Sequence, residues 1–313
     1  MDQAHLQRAT VGVSALVTAF ERPAKTLATI ERILACEPAP REVLVHVDGG
    51  REDIAQAIAD RFPRVKLHAS QSRLGPGGGR NVLLESATCD LCASFDDDSF
   101  PLSRDFFAAA AAAFDRFPDA WVIAAHVKEA SNEDSSLAAG TARVGHFLGG
   151  ACIFRRSAIL GVGRFVPLQI AYGMEELDLS LRLHAMGGQV IYVPELRVFH
   201  DADLEHRKEP TIVAFSLCNV GLHCALRYPV LLWPLGIAQI ISMIIWDIRH
   251  GRTGGIRSGL ALMPGYIWSR RFLRRSVPTR AVISFIRLKR NPILACAEPA
   301  MGRSQHLQGS SSD

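Results

Sequence analysis

Apolar residues fill positions 11–18 (VGVSALVT), a β-rich run, and from Pro23 onward Leu27, Ile30, Ile33 and Leu34 recur at helical spacing. The pattern predicts strand, turn, helix. It then repeats: a strand over 42–47 ends in Asp48-Gly49-Gly50, a helix covers 51–61, and a short strand covers 65–68. A glycine-rich loop leads into a helix reaching about 87, and a strand over 90–95 delivers Asp96-Asp97-Asp98. Alternation of this kind predicts an α/β fold with a mostly parallel central sheet and crossover helices, whose ligands bind beyond the carboxyl ends of the strands. Thr18 to Arg22, Asp48 to Gly50 and Asp96 to Asp98 all stand at such ends.

The next stretch predicts a helix over 103–117, a strand over 121–127 and a mobile polar loop over 128–142. Gly149-Gly150-Ala151-Cys152-Ile153-Phe154 follows, then a helix over 174–187 carrying Glu175, Glu176 and Asp178. The pattern closes a first domain, 1–209, just after His200. Beyond it the character changes, because no residue from Tyr228 to Trp246 is charged. That uncharged run lies at the lower edge of a membrane span. With Trp233, Trp246, Tyr266 and Trp268 beside Arg270, Arg271, Arg274 and Arg275, the 210–292 region reads as an interfacial helical hairpin in preference to a single span or a soluble appendage. Residues 293–313 read as a disordered tail.

Composition adds two constraints. The chain has 313 residues, 48% hydrophobic and 21% charged, enough for a substantial core. Its net charge of +4 hides an asymmetry, since residues 249–290 hold eleven Arg or Lys and no acid. A basic surface is therefore expected at the C-terminal end, facing an anionic membrane surface and not nucleic acid. The first residues lack a basic and then apolar leader, which predicts a cytoplasmic protein, peripheral at the inner face of the cell membrane. Seven cysteines do not make a disulfide framework, and Cys89 and Cys92, a lone CxxC, read as buried thiols.

Three consecutive carboxylates after an apolar strand repel one another and ask for a cation. Spaced as D-x-D, Asp96 and Asp98 can face one side of an extended segment, one holding Mg2+ or Mn2+ while the other reaches a ribose hydroxyl. An acidic loop capping the following helix is the plainer alternative. Asp48, followed by two glycines, can accept hydrogen bonds from a base or ribose, or serve its own turn. The segment Arg73-Leu74-Gly75-Pro76-Gly77-Gly78-Gly79-Arg80-Asn81 looks like a phosphate cradle, but it has no P-loop lysine and does not follow the first strand, which disfavours a P-loop ATPase and a dinucleotide-binding dehydrogenase.

The ordered set VSALVTAFERP, VDGG, RLGPGGGRN, FDDDS, GGACIFRR, GMEELDLSLRL and VFH resembles the family 2 glycosyltransferases of the GT-A fold, in particular the bacterial rhamnosyltransferase-like branch, over residues 10–205. The resemblance implies inverting transfer from a nucleoside-diphosphate sugar. It implies donor contacts from Thr18, Arg22, Asp48, Gly75, Arg80, Asp96 and Asp97, metal ligation by Asp98 and His200, and a sugar and acceptor wall at Gly149 and Gly150. The family's acidic helix start supplies the catalytic base. Here it reads Glu175-Glu176-Leu177-Asp178-Leu179, so Glu176 stands where aspartate is more usual and Glu175 remains a rival. Arg73 also departs from the asparagine often found there.

The expected acceptor is a hydroxyl of a glycan or of a lipid-linked molecule presented at the membrane. A nucleotidyltransferase acting on sugar phosphates would share the acidic, nucleotide-binding sheet, yet residues 10–25 lack its glycine-rich pattern. A non-catalytic nucleotide-sugar-binding protein would have no need of Glu176 and His200 together with Asp96 and Asp98.

Overall fold

The computed structural model describes residues 10–129, 134–170, 174–201 and 208–295. The first half alternates as expected: β1 (Thr10–Ala19), α1 (Pro23–Leu34), β2 (Ala39–Val47), α2 (Glu52–Arg61), β3 (Lys66–Ala69), α3 (Gly75–Ser86), β4 (Leu91–Asp96), β5 (Ser99–Pro101) and α4 (Phe106–Arg116). Then come β6 (Ala120–Glu129), β7 (Asp134–Ser135), β8 (Ala142–Val144), β9 (Ala151–Arg155), α5 (Arg156–Gly161), α6 (Met174–Ala185) and β10 (Gln189–His200). The C-terminal part holds α7 (Pro210–Arg227), α8 (Trp233–Arg249), α9 (Ile256–Ser269), α10 (Thr279–Arg290) and β11 (Ile293–Leu294).

One sheet runs in the order β11-β8-β10-β6-β9-β4-β1-β2-β3. Strands β3, β2, β1 and β4 are parallel, as are β6 and β10, and β9 enters antiparallel between β4 and β6. Both faces of the central strands are covered, so they read as nearly continuous apolar runs. Along β1, Val13, Ala15 and Val17 pack on the face carrying α1, α2 and α4, while Leu16 packs with Leu83 and Leu84 of α3 on the other. The period of two sorts each strand between two cores.

Three expectations change. The glycine-rich segment is not a loop: Gly75 to Gly79 form the first turns of α3. The polar stretch 128–142 carries the end of β6, all of β7 and the start of β8; residues 130–133 of it lie outside the described residues. The 210–292 region is not a hairpin standing apart. Helix α7 packs against both α8 and α9, and Leu217, Cys218 and Met263 form a small core with Met243 and Ile244.

The chain then returns to the main sheet. Leu181 of α6 packs with Val282 and Phe285 of α10, and Ile293 and Leu294, expected in a disordered tail, pair antiparallel with Arg143 and Ala142. The rest of that predicted tail, from 296, lies outside the described residues. Asp178 of α6 adds a polar lock. It is buried between Arg182 (2.7 Å) and Arg227 of α7 (2.5 Å), with His223 3.7 Å away. Both thiols of the CxxC are buried and free.

Outward, α8 is bare. Trp233, Ile237, Ile241, Ile245 and Ile248 form one stripe along it, each more than two-fifths exposed. Val230–Arg249 is long and apolar enough to cross a membrane by length and composition, though Gly236 packs on Cys224 and Asp247 is fully buried.

Candidate active site

A cavity of about 980 Å³ opens at the carboxyl ends of β1, β2 and β4. Every residue singled out from the sequence lines it: Thr18, Arg22, Asp48, Gly75, Arg80, the three aspartates, Gly149, Gly150, Glu175, Glu176 and His200. Strand register explains part of this convergence, because Thr18 pairs with Asp96 across β1 and β4 and with His46 across β1 and β2. Strand β10 then brings His200 opposite Ser99.

The three aspartates have different surroundings. Asp96 is the most open; its Oδ1 accepts from Thr18 Oγ1 (3.1 Å) and Arg80 Nη2 (2.6 Å), while its backbone N–H donates to Ser99 Oγ, which itself donates to the Gly150 carbonyl. Asp97 points inward to Arg22 Nη2 (2.9 Å) and the Phe20 N–H (3.0 Å). Burial pushes its carboxyl up to about 7 against the pull of Arg22, so Asp97 anchors the turn to the β1–α1 loop. Asp98 contacts Arg22 Nη1 through Oδ2, and its Oδ1 lies 3.3 Å from His200 Nε2 without hydrogen-bond alignment. Burial works to raise Asp98, but the His200 contact, Arg22 and Lys25 outweigh it and hold it below the usual carboxylate range. For His200 the balance runs the other way: burial lowers it, and the carboxylates of Asp98 and Asp96 raise it overall.

Donor atoms of Asp96, Asp98 and His200 lie within 4.8 Å of one another. Two carboxylate oxygens and an imidazole nitrogen, with the buried Asp98 Oδ1 lacking a hydrogen bond, fit a divalent cation such as Mn2+ or Mg2+. Asp96, expected on the nucleotide side, is grouped here with the two expected metal ligands.

Arg80 differs from expectation. Its side chain is 1% exposed, with Nε on Ser94 Oγ (3.0 Å), Nη2 on Asp96, and Nη1 3.6 Å from both Glu175 and Glu176. With three carboxylates around it, Arg80 is a counter-charge for the acid cluster at the cavity wall. The Asp48 carboxylate is likewise engaged, accepting from Ser70 Oγ (3.0 Å) and from the Leu74 and Gly75 N–H groups (both 2.8 Å) at the start of α3. Gly75 is glycine for space: φ is +74° and a Cβ would stand 1.9 Å from the Leu168 carbonyl oxygen.

Glu175 and Glu176 start α6 and are both buried. Burial, then the adjacent Glu176 charge, holds Glu175 well above the usual carboxylate range despite Arg80. Glu176 Oε1 accepts the Gly149 N–H (3.2 Å), and its Oε2 is buried without a partner. Gly149 and Gly150 are the surface these acids rest on: a Cβ on Gly149 would lie 2.3 Å from Glu176 Oε1, and one on Gly150 2.4 Å from Asp96 Oδ2.

Residues not anticipated complete the cavity. Arg73, noted above as a departure from asparagine, lies over the Phe20 ring (4.3 Å), and His46 is buried with neither ring nitrogen hydrogen-bonded among the described residues. Thr211, Ile212, Ser216, Met243 and Arg252 bring the C-terminal region into the wall. The largely apolar stretches holding the first four give no local sign of a site, and Arg252 stands in a glycine-rich turn. Of the other histidines, His126 bonds Tyr192 (2.7 Å) and His184 meets Ser284 (2.8 Å), both away from the cavity, while His206 lies outside the described residues.

Residues 11–215 match the family described as glycosyltransferase like family 2. No curated protein sequence matches the chain. Among solved structures, GalNAc-T7 with UDP, GalNAc and Mn2+ superposes with a TM-score of 0.55 at 16% identity, over 72% of this chain and 49% of that one. The mannosyltransferase PcManGT from Pyrobaculum calidifontis, with GDP-Man and Mn2+, gives 0.53 at 15% identity, over 88% and 85%. S. aureus TarS 1–349 with UDP-GlcNAc gives 0.54 at 14%, over 82% and 92%. The chain spans about half the length of GalNAc-T7 and most of the other two. At such identities the likeness is one of fold: α/β of GT-A type with a mixed, mostly parallel sheet.

Proposed function

The chain belongs to glycosyltransferase family 2, and we propose that it transfers a sugar from a nucleoside-diphosphate donor to an acceptor hydroxyl with inversion at the anomeric carbon. The observation that carries this reading is the clustering of Asp96, Asp98 and His200 donor atoms within 4.8 Å, in the cavity that Glu176 also lines. A bound Mn2+ or Mg2+ supplies the positive charge that offsets the departing diphosphate.

Glu176 is the proposed base. The acceptor oxygen forms its bond to the anomeric carbon while the bond from that carbon to the diphosphate oxygen breaks, and the acceptor proton passes to Glu176 Oε2. The Gly149 N–H fixes the other oxygen. Glu175, held toward its neutral form by burial and by its neighbour, is the weaker candidate for the base. Arg80 is a positioning residue that lets three carboxylates share one site. Thr18, Arg22, Asp48 and Gly75 form the proposed nucleotide side, Gly149 and Gly150 the sugar side.

The proposal extends to location. The bare stripe on α8, exposed Trp268 and Phe272, and eleven cations without an acid over 249–290 support peripheral attachment to an anionic membrane surface on its cytoplasmic side, with a glycan or lipid-linked acceptor. Because the opposite side of α8 is packed on α7, lying on the membrane suits it better than crossing. The 1–209 and 210–292 parts act together, since both line the cavity. Incubation with Mn2+ and a panel of UDP-, GDP- and dTDP-sugars, followed by donor binding and slow donor hydrolysis, tests the reading; it fails if no donor binds.

A further inference from the structure

The cavity has a second wall on the side of the C-terminal helices. It is built by Glu209 just before α7, Thr211, Ile212 and Ser216 of α7, Met243 of α8 and Arg252 in the turn before α9. Among the described lining residues of this wall, Arg252 is the single cation. Its backbone N–H donates to the Asp247 carbonyl (2.8 Å), and its Nε lies 3.3 Å from Asp247 Oδ1. The Asp247 side chain is fully buried, and neither of its oxygens has a hydrogen bond among the described residues.

A buried carboxylate with no hydrogen bond is costly, and a well-packed apolar pair in its place is commonly no less stable. Stability alone therefore does not account for the pair. What Asp247 does is hold the Nε side of Arg252, which leaves the Nη fork for another anion, and a guanidinium fork matches phosphate oxygens. The same guanidinium lies over the Trp246 ring at 5.2 Å, and Trp246 of α8 is stacked on His250 and 47% exposed. Arg252 thus joins the cavity to the face we assign to the membrane.

We propose that Arg252 binds the phosphate of a membrane-borne, lipid-linked acceptor, whose tail lies along the α8 stripe and whose hydroxyl-bearing head enters the cavity. This rests on the glycosyltransferase reading for its meaning, but its test contains no donor. A molecule whose head lies in the cavity meets Arg252 at the wall, and beside it the exposed ring of Trp246, before its tail reaches the bare side of α8. A neutral acceptor would leave the cation and its buried carboxylate without a ligand to recognise.

The test measures fluorescence-anisotropy binding of a labelled ten-carbon alkyl phosphate and of the corresponding alkyl alcohol to the full chain in uncharged detergent. The wild type should favour the phosphate by about tenfold or more, the gain expected for charge-assisted hydrogen bonds. Arg252→Gln should bring the two probes to within about twofold, and Arg252→Lys, a point charge without the fork, should keep part of the preference. Circular dichroism establishes that both variants fold. Arg257→Gln, on exposed α9 outside the cavity, should leave the preference unchanged. The proposal is overturned if Arg252→Gln retains the preference, if Arg257→Gln removes it equally, or if inorganic phosphate displaces the probe at matching concentration, which would make this a free-phosphate site. Failure of every sugar nucleotide to bind would instead remove the glycosyltransferase reading and leave this binding result standing.

Discussion

Glu176 and Gly149 are joined by a hydrogen bond of 3.2 Å from the glycine N–H to Oε1, and the glycine has no room for a side chain on that face. A Cβ there would lie 2.3 Å from Oε1 and 2.6 Å from the Arg80 guanidinium carbon. Gly149→Ala should therefore move the carboxylate and not merely crowd it. A displacement near 1 Å lowers turnover by about 100-fold, and kcat measured beside donor affinity should show the first falling while the second changes little.

Adjacent carboxylates should behave differently under the same substitution. Glu176→Gln keeps an acceptor for the Gly149 N–H but cannot take a proton, so transfer should fall by about 100- to 10,000-fold with donor binding retained. Glu175 is already held toward its neutral form. Glu175→Gln should thus cost less than about tenfold near neutral pH, a range consistent with loss of a spectator and not of a base. Equal losses in the two variants, read from initial rates, would show that the division of roles is wrong.

The acid cluster was legible because its members announce themselves locally: three aspartates follow an apolar strand, and two glutamates open a helix. The glycine-rich segment misled for a physical reason. Glycine favours loops as an isolated preference, but here Gly75 makes room for the Leu168 carbonyl, ninety-three positions away in the chain, and the helix forms through it. Arg80 misled in the same way, since a cation beside glycines resembles a phosphate site until its three carboxylate neighbours are seen. Asp247 and Arg252 give no sign in the sequence, because what matters about them is burial and the wall they reach.

Removing a donor atom from the Asp96, Asp98 and His200 cluster should weaken Mn2+ binding. Asp98→Asn also removes one of the two carboxylates that hold Arg22, whose guanidinium then remains near the site with Asp97 as its remaining partner and opposes the metal. His200→Ala removes one neutral donor and leaves the Arg22 contact. Both should reduce affinity by about tenfold or more, Asp98→Asn the further of the two. Isothermal titration with Mn2+ alone, without donor, reads this directly; unaltered affinity in both would exclude this cluster as the metal site.

Attachment to lipid should depend on apolar area and on charge separately. Replacing Ile241 and Ile245 with serine removes two exposed members of the α8 stripe, each more than two-fifths bare, without touching α7. At about 25 cal/mol per Å² of buried apolar surface, the vesicle partition coefficient should drop by tenfold or more. Raising salt from about 0.1 M to about 1 M shortens the screening length from about 10 to about 3 Å and should release the wild type from anionic vesicles. Sedimentation with phosphatidylglycerol vesicles measures both, and insensitivity to both changes would remove the membrane assignment.

Asp178 has a structural task, and its pH dependence can be signed. Burial acts to raise its carboxyl, but Arg182, His223 and Arg227 outweigh that and hold it far below the usual range. A folded value below the unfolded one of about 3.9 means that the ionised group favours folding above that pH and that its contribution is lost as pH falls toward the folded value. Asp178→Asn strands two buried guanidinium groups and should cost about 3–5 kcal/mol at pH 7. The gap between wild type and variant, followed by chemical denaturation, should be full at neutral pH and narrow below about pH 4. Because the carboxylate ties α6 to α7, the variant should also loosen the helix that carries Glu176, and kcat should fall at temperatures where the fold itself is still intact.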